Sequence, residues 1–217
     1  MEYYFNMKYK VEYTGLLAGA PIRGVGFPHY DPAEIFNNME GILIWADTHF
    51  WHENVIKYQG RPKNHTEIMF KNWREKVSHK DILLNLGDVV HGISDQEMEI
   101  RFPKRLPGKP YLVFGNHDKK GRLEILRNRK WKFLDPFEIV YRENLIIFTH
   151  EPLDENEVTE GIINVHGHVH DNPSPGDGSR YINVSVEKTN YQPVYLKKIL
   201  DNKIEELNKV GLEELGK

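Results

Sequence analysis

Seven residues of kinds that ligate divalent metals stand just after short apolar runs. Asp47 and His49 follow residues 41–46, and Asp88 follows 81–86. Asn116 follows 110–114, His150 follows 144–149, and His168 and His170 follow 161–165. Carboxylate, imidazole and amide donors suit borderline divalent ions such as Mn, Fe, Co, Ni or Zn. Seven donors are too many for one tetrahedral zinc. They suit two ions sharing a carboxylate, ~3.5–4 Å apart, an arrangement that clamps the oxygens of an in-line phosphoryl displacement.

Each piece alone has an ordinary reading. Asp47-Thr48-His49 is a strand end with a helix cap, Gly87-Asp88 a turn, and His150 a core or loop histidine. Gly115-Asn116-His117-Asp118 is rich in turn-formers. His168-Val169-His170 alternates like a strand, which would put both imidazoles on one face. The same residue types at five separate strand ends are poorly explained by chance, and the joint pattern points to a metal site.

The elements that must position these residues are legible. The five apolar runs read as buried strands. Between them, residues 66–77 place Met69, Trp73, Lys76 and Val77 on one helical face. Ser94 to Glu97 fits a capping box before a short helix that Pro103 should end. Leu123 and Leu126 continue the helical pattern after Asp118. Leu196, Ile199, Leu200, Ile204 and Leu207 recur as a terminal amphipathic helix. Strands alternating with helices make an α/β protein, whose ligands bind beyond the carboxyl ends of the strands. Residues 1–40 differ: 7–13 could form a strand, and 15–32 are rich in glycine and proline. They read as an N-terminal extension or lid on a domain spanning 41–217.

The chain has 217 residues, of which 39% are hydrophobic, enough for a real core. Its formal net charge is −3, without the overall basic bias of many nucleic-acid binders. It has no cysteine, which removes disulfides, thiolate ligands and a cysteine nucleophile. No charged segment followed by a long apolar run opens it, and no stretch nears the ~20 apolar residues of a membrane span. The expectation is a cytoplasmic protein without membrane contact.

The order Asp-x-His, Gly-Asp, Gly-Asn-His-Asp, His, Gly-His-x-His across residues 47–170 resembles the calcineurin-like metallophosphoesterase superfamily, in its small bacterial, archaeal and phage branch. The resemblance implies two packed mixed β-sheets flanked by helices, a four-layer sandwich. It implies one metal held by Asp47, His49, Asp88 and His170, and another by Asp88, Asn116, His150 and His168, with Asp88 bridging. Mn leads the candidates for both ions, with Fe, Ni, Co and Zn behind it. A metal-bridging hydroxide would attack phosphorus directly. His117 would protonate the leaving group or stabilise the phosphoryl oxygens, a task suited to a histidine, and Asp118 would orient it.

Departures narrow the reading. Protein Ser/Thr phosphatases of this superfamily continue the second block as Gly-Asp-x-x-Asp-Arg-Gly. Here it runs Gly87-Asp88-Val89-Val90-His91-Gly92. Their final Gly-His-Gly is replaced by Gly167-His168-Val169-His170. A phosphodiesterase is therefore favoured over a protein phosphatase. A nuclease or cyclic-nucleotide phosphodiesterase on the same site is the alternative. Arg122, Arg127, Arg129, Lys130 and Lys132 would then form a basic groove, or simply a solvated helix face. A non-catalytic scaffold is the remaining reading, disfavoured by the intact ligand set. His52, Arg61 and His91 are candidate substrate contacts, Arg61 because a guanidinium matches phosphate oxygens. Trp51, Tyr58 and Trp73 read as core rather than a platform for a base. The substrate is a phosphate ester, with nucleotides and nucleic acid among the candidates.

Overall fold

The computed structural model describes residues 30–36 and 39–215. The strand expected at 7–13, and most of the residues read as an extension or lid, lie outside them. All five expected strand runs match a strand in the structure to within one residue at each end, and the first of them, 41–46, contains β1 (Ile42–Trp45). With β2 (Ile82–Asn85), β3 (Lys109–Val113), β4 (Lys132–Leu134) and β9 (Val194–Tyr195) it makes one sheet of order β4-β3-β2-β1-β9. Strands β1 to β4 run parallel and β9 closes the edge antiparallel to β1. The second sheet, of order β5-β6-β7-β8, joins an antiparallel pair, β5 (Phe137–Tyr141) and β6 (Asn144–Phe148), to the parallel β7 (Ile162–His166) and β8 (Tyr181–Asn183).

The two sheets pack face to face. Ile42, Ile44, Leu84 and Val113 of the first meet Phe137, Ile139, Phe148 and Val165 of the second. Leu196, Leu200 and Ile204 of α5 (Leu196–Leu215) join the same core, as the terminal apolar spacing required. So do Ile35, Phe36 and Met39, which the sequence reading put in the extension. The Phe36 ring lies 5.6 Å from Phe137 and 5.8 Å from Phe148. The other face of the first sheet, through Leu43, Trp45, Leu83 and Leu112, is covered by Met69, Phe70 and Trp73 of α2 (His65–Lys76). Met98 of α3 (Asp95–Arg101) and Leu123 and Leu126 of α4 (Lys120–Asn128) complete that layer. Strands covered on both faces read as unbroken apolar runs, which is why they were legible.

Helix α3 carries the expected capping box: Glu97 N–H donates to Ser94 Oγ at 3.2 Å, and Ser94 N–H donates to Glu97 Oε2 at 3.0 Å. The chain leaves that helix at Phe102, before Pro103. One helix was not anticipated. In α1 (Glu53–Gln59) only Val55 is buried, so it offers no apolar stripe to read; it ends on Gly60 with φ 64°. No helix among the described residues is long and apolar enough to cross a membrane.

Candidate metal centre

All seven candidate ligands gather at the carboxyl ends of β1, β2, β3, β6 and β7. The first sheet presents Asp47, His49, Asp88 and Asn116, and the second presents His150, His168 and His170. The expectation that His168 and His170 stand on one face of a strand is corrected. Strand β7 stops at His166, and both histidines sit in the left-handed region, at φ 68° and 54°. Asp47, His49 and Asp88 do likewise, at φ 55°, 41° and 58°. Backbone of this kind is uncommon outside glycine and costs roughly 1–3 kcal/mol per residue, so the surroundings must hold it. Sharp turns immediately after the strands aim successive polar side chains inward. Glycine permits the close approach of β2 and β3 ends: a side chain at Gly115 would collide with the Asp88 carboxylate, and one at Gly87 with the His150 ring.

The donor atoms converge in two groups. One ligand atom each from Asp47, His49 and His170 lie within 4.8 Å of one another, and so do those of Asp47, Asp88 and His150. Around His150 Nε2 stand Asn116 Oδ1 at 3.0 Å, His168 Nδ1 at 3.3 Å and Asp88 Oδ2 at 3.5 Å. The same Asp88 Oδ2 is 3.4 Å from His49 Nε2, between the two groups. Asp47 and Asp88 are buried, and Asp47 Oδ1 and His49 Nδ1 have no hydrogen-bond partner. Buried polar atoms left without partners cost free energy. A buried Asp47 oxygen without a partner, amid converging imidazole and carboxylate donors, fits divalent cations.

The electrostatics agree. Burial, reinforced by His170 and Arg61, holds His49 well below the usual histidine range, so it is neutral, as a ligand must be. Burial raises the Asp47 carboxyl. Burial also pulls His150 down, but the Asp47 and Asp88 carboxylates outweigh it and leave it raised. Burial governs Asp47 and His49, and only at His150 do the neighbouring carboxylates prevail over it.

His117 lies beside the centre. Its ring is 5.6 Å from that of His49 and packs edge-on against His91 at 4.3 Å; its N–H donates to Asp88 Oδ1 at 2.8 Å. The contact expected between Asp118 and the His117 ring is not formed. The Asp118 carboxylate accepts instead from the N–H groups of Asp88 at 2.8 Å, Val89 at 3.1 Å and Gly115 at 2.9 Å. Burial and the neighbouring Asp88 charge push its pKa up to about 6 against those three donors. It braces the loop that carries Asp88.

Arg61 is not placed to grip a phosphate. It is buried, and its guanidinium is spent on protein: Thr48 O at 2.8 Å, Asp47 O at 2.7 Å and Glu187 Oε1 at 2.7 Å. His52 and His91 remain half-exposed at the edge, their rings 4.3 Å apart. His52 also lines a cavity of about 410 Å³ with Trp51, Lys63 and Arg101. Trp73 is core, whereas Tyr58 is 75% exposed. Two members of the basic cluster face the protein rather than solvent. Arg122 is buried and donates to Val90 O and Ile93 O, and Arg129 is tied to Glu99.

Two positioning residues escaped the sequence reading. Ser185 Oγ donates to Asp47 Oδ2 at 2.8 Å, and Glu187 Oε1 lies 3.1 Å from His170 Nδ1. Both lie just past β8, a three-residue strand, in a stretch that carries no motif.

The sequence model described as calcineurin-like phosphoesterase matches residues 41–210. An uncharacterized protein of Methanocaldococcus jannaschii is 33% identical over 170 residues, covering 73% of this chain and 89% of that one. The crystal structure of a protein of unknown function from Aquifex aeolicus superposes with a TM-score of 0.60 at 28% identity, over 74% of this chain and 97% of the other. An archaeal phosphodiesterase overlaps at a TM-score of 0.37 and 19% identity, over 65% and 81%.

Proposed function

Because the chain belongs to the calcineurin-like phosphoesterase family and is a metal-dependent phosphoesterase, we propose that it hydrolyses phosphodiesters at a dinuclear centre. The position of Asp88 Oδ2, 3.4 Å from His49 and 3.5 Å from His150, carries this reading. One carboxylate oxygen equidistant from a histidine of each group is what a shared ligand requires. Asp47, His49, Asp88 and His170 would hold one ion, and Asp88, Asn116, His150 and His168 the other. Mn is the first candidate for a set of carboxylate, imidazole and amide donors. When bound, such ions supply an activated water and neutralise charge on the phosphoryl oxygens.

The protein's own groups do the rest. His117, fixed by its backbone bond to Asp88, offers an imidazole beside the centre to donate a proton to the leaving oxygen. Asp118 acts one step back, holding Asp88. His52 and His91 present half-exposed rings to the leaving-group side of the substrate. Arg122 and Arg129, two of the five clustered basic residues, are turned into the protein, which favours a small diester over a long nucleic acid as substrate.

The test is metal-stripped protein titrated with Mn and assayed on bis-p-nitrophenyl phosphate and p-nitrophenyl phosphate. Diesterase turnover saturating near two ions per chain is expected. Metal binding without turnover on either ester would sink the diesterase reading, and no metal binding would sink the centre itself. His117→Ala should keep both ions and lose roughly 10²–10⁴-fold in kcat on an ester with a poor leaving group. His91→Ala should raise KM more than it lowers kcat.

A further inference from the structure

The two groups of candidate ligands are supported unequally from behind. His150 sets its Nδ1 2.7 Å from the backbone carbonyl of Leu86, an uncharged acceptor. His170 sets its Nδ1 3.1 Å from Glu187 Oε1, a carboxylate whose side chain is 5% exposed. That carboxylate is held in turn by the Arg61 guanidinium, through Nε at 2.7 Å and the same distance from its terminal nitrogen. Arg61 reaches further, to the carbonyls of Asp47 and Thr48, and its terminal nitrogen is 3.3 Å from His170 Nδ1. So one buried guanidinium joins the turn after β1 to the segment after β8, behind two ligands at once. The His170 ring is stacked on His49 at 5.1 Å and 20°, and Asp47 Oδ2 is fixed by Ser185 Oγ and the His168 N–H at 2.8 Å each. On the other side, Asn116 is an exposed, neutral donor.

A histidine that donates one ring N–H to a carboxylate presents its other nitrogen in a fixed tautomer and orientation, and as a stronger base. A carbonyl fixes the tautomer but is a weaker acceptor than a carboxylate, even one whose charge is partly offset by a guanidinium as Glu187's is by Arg61. We propose that Glu187, locked by Arg61, is a positioning residue for His170, and that it makes the metal position of Asp47, His49 and His170 bind its ion more tightly than the position around His150. This rests on the dinuclear reading above. It assigns to the Arg61–Glu187 pair a cost the fold bears for a purpose, since a buried ion pair is weak evidence for stability alone.

The experiment compares Mn binding to metal-stripped wild type and Glu187→Gln. Calorimetric titration and equilibrium dialysis with elemental analysis count the ions at buffered free Mn. Wild type is expected to show two steps, tight and weaker. Glu187→Gln should weaken the tight step roughly 10–100-fold and leave the other unchanged. Identical isotherms for the two proteins would overturn the proposal, and so would an equal loss at both steps, which is the mark of a general structural role. Wild type binding no ion would instead refute the metal centre, a distinguishable failure. Because Glu187→Gln leaves a buried guanidinium facing a neutral amide, the variant can fail to fold. Long-range ¹H–¹⁵N correlation on metal-free wild type then decides, with the His170 signal assigned by its loss in His170→Gln. A proton on Nδ1 with Nε2 bare supports the assignment, and the opposite tautomer overturns it.

Discussion

Asp118 shows how a residue can sit inside a catalytic motif without touching the reacting groups. Its two oxygens take three backbone N–H groups from two separate loops, which welds the turn after β2 to the turn after β3. Asp118→Asn replaces one acceptor oxygen with an NH₂ that faces donors. The cost should be roughly 2–3 kcal/mol of stability, as for hydrogen bonds to a charged group lost in a buried setting. Metal affinity should fall with it, because Asp88 is what the bonds position. A residue that oriented His117 would behave differently: kcat would drop with stability and metal content intact. Denaturant melts and bound-metal counts on the one variant separate the two. At this scale the sequence named seven residues that the fold does bring together, because ligand chemistry restricts residue type. It misassigned Arg61 and Asp118, because residue type does not say which way a side chain turns. Glu187 was invisible, since an outer carboxylate needs only to arrive within hydrogen-bond distance and can come from anywhere in the chain.

Helix α5 is anchored to β5 by a polar cluster as well as by its apolar face. Asp201 accepts from Tyr141 O–H at 2.6 Å and Lys197 Nζ at 2.8 Å, with Arg142 at 3.3 Å. Burial raises the Asp201 carboxyl, but these donors outweigh burial and hold it below the usual range. A depressed carboxyl stabilises the fold above its unfolded pKa of about 3.9, and that stability drains away as pH falls through the lower folded value. Asp201→Asn should therefore cost about 1–2 kcal/mol at pH 7 and little near pH 2, as read by urea melts at the two pH values. The legibility of elements followed how they are buried. Strands β1, β2, β3, β6 and β7 and helices α2 and α5 announced themselves by long apolar runs or stripes. Helix α1, with Val55 alone buried, strands β4, β8 and β9, of two or three residues, and β5, whose apolar run is broken by Glu138, did not. Those short strands exist because a neighbouring strand supplies their partners, which is information held elsewhere in the chain. The turn at 167–170 was misread because alternation of His-Val-His imitates a strand while the backbone after β7 turns left-handed.

Across the whole molecule the candidate ligands come from both sheets, so bound ions would tie one sheet to the other. Each ion present at 100 times its Kd adds about 2.7 kcal/mol to folding, which for a domain of this size is roughly 5–10 °C in Tm. Chelation should lower Tm by that amount for a tight ion, and the loss should reverse when metal is restored. A Tm indifferent to chelator would mean that the sheets hold their relative placement without the ions. The same layout bears on synthesis. Strand β1 and the first ligand, Asp47, leave the ribosome early, but β1 pairs on one side with β9 at residues 194–195, and His170 waits for Glu187. A nascent chain thus carries half-built clusters of bare carboxylates and imidazoles for most of its emergence. On the proposed ligand set, metal loading would be a late event, following closure of the first sheet by the last strand, and a chain truncated before residue 187 would lack the carboxylate proposed to position His170.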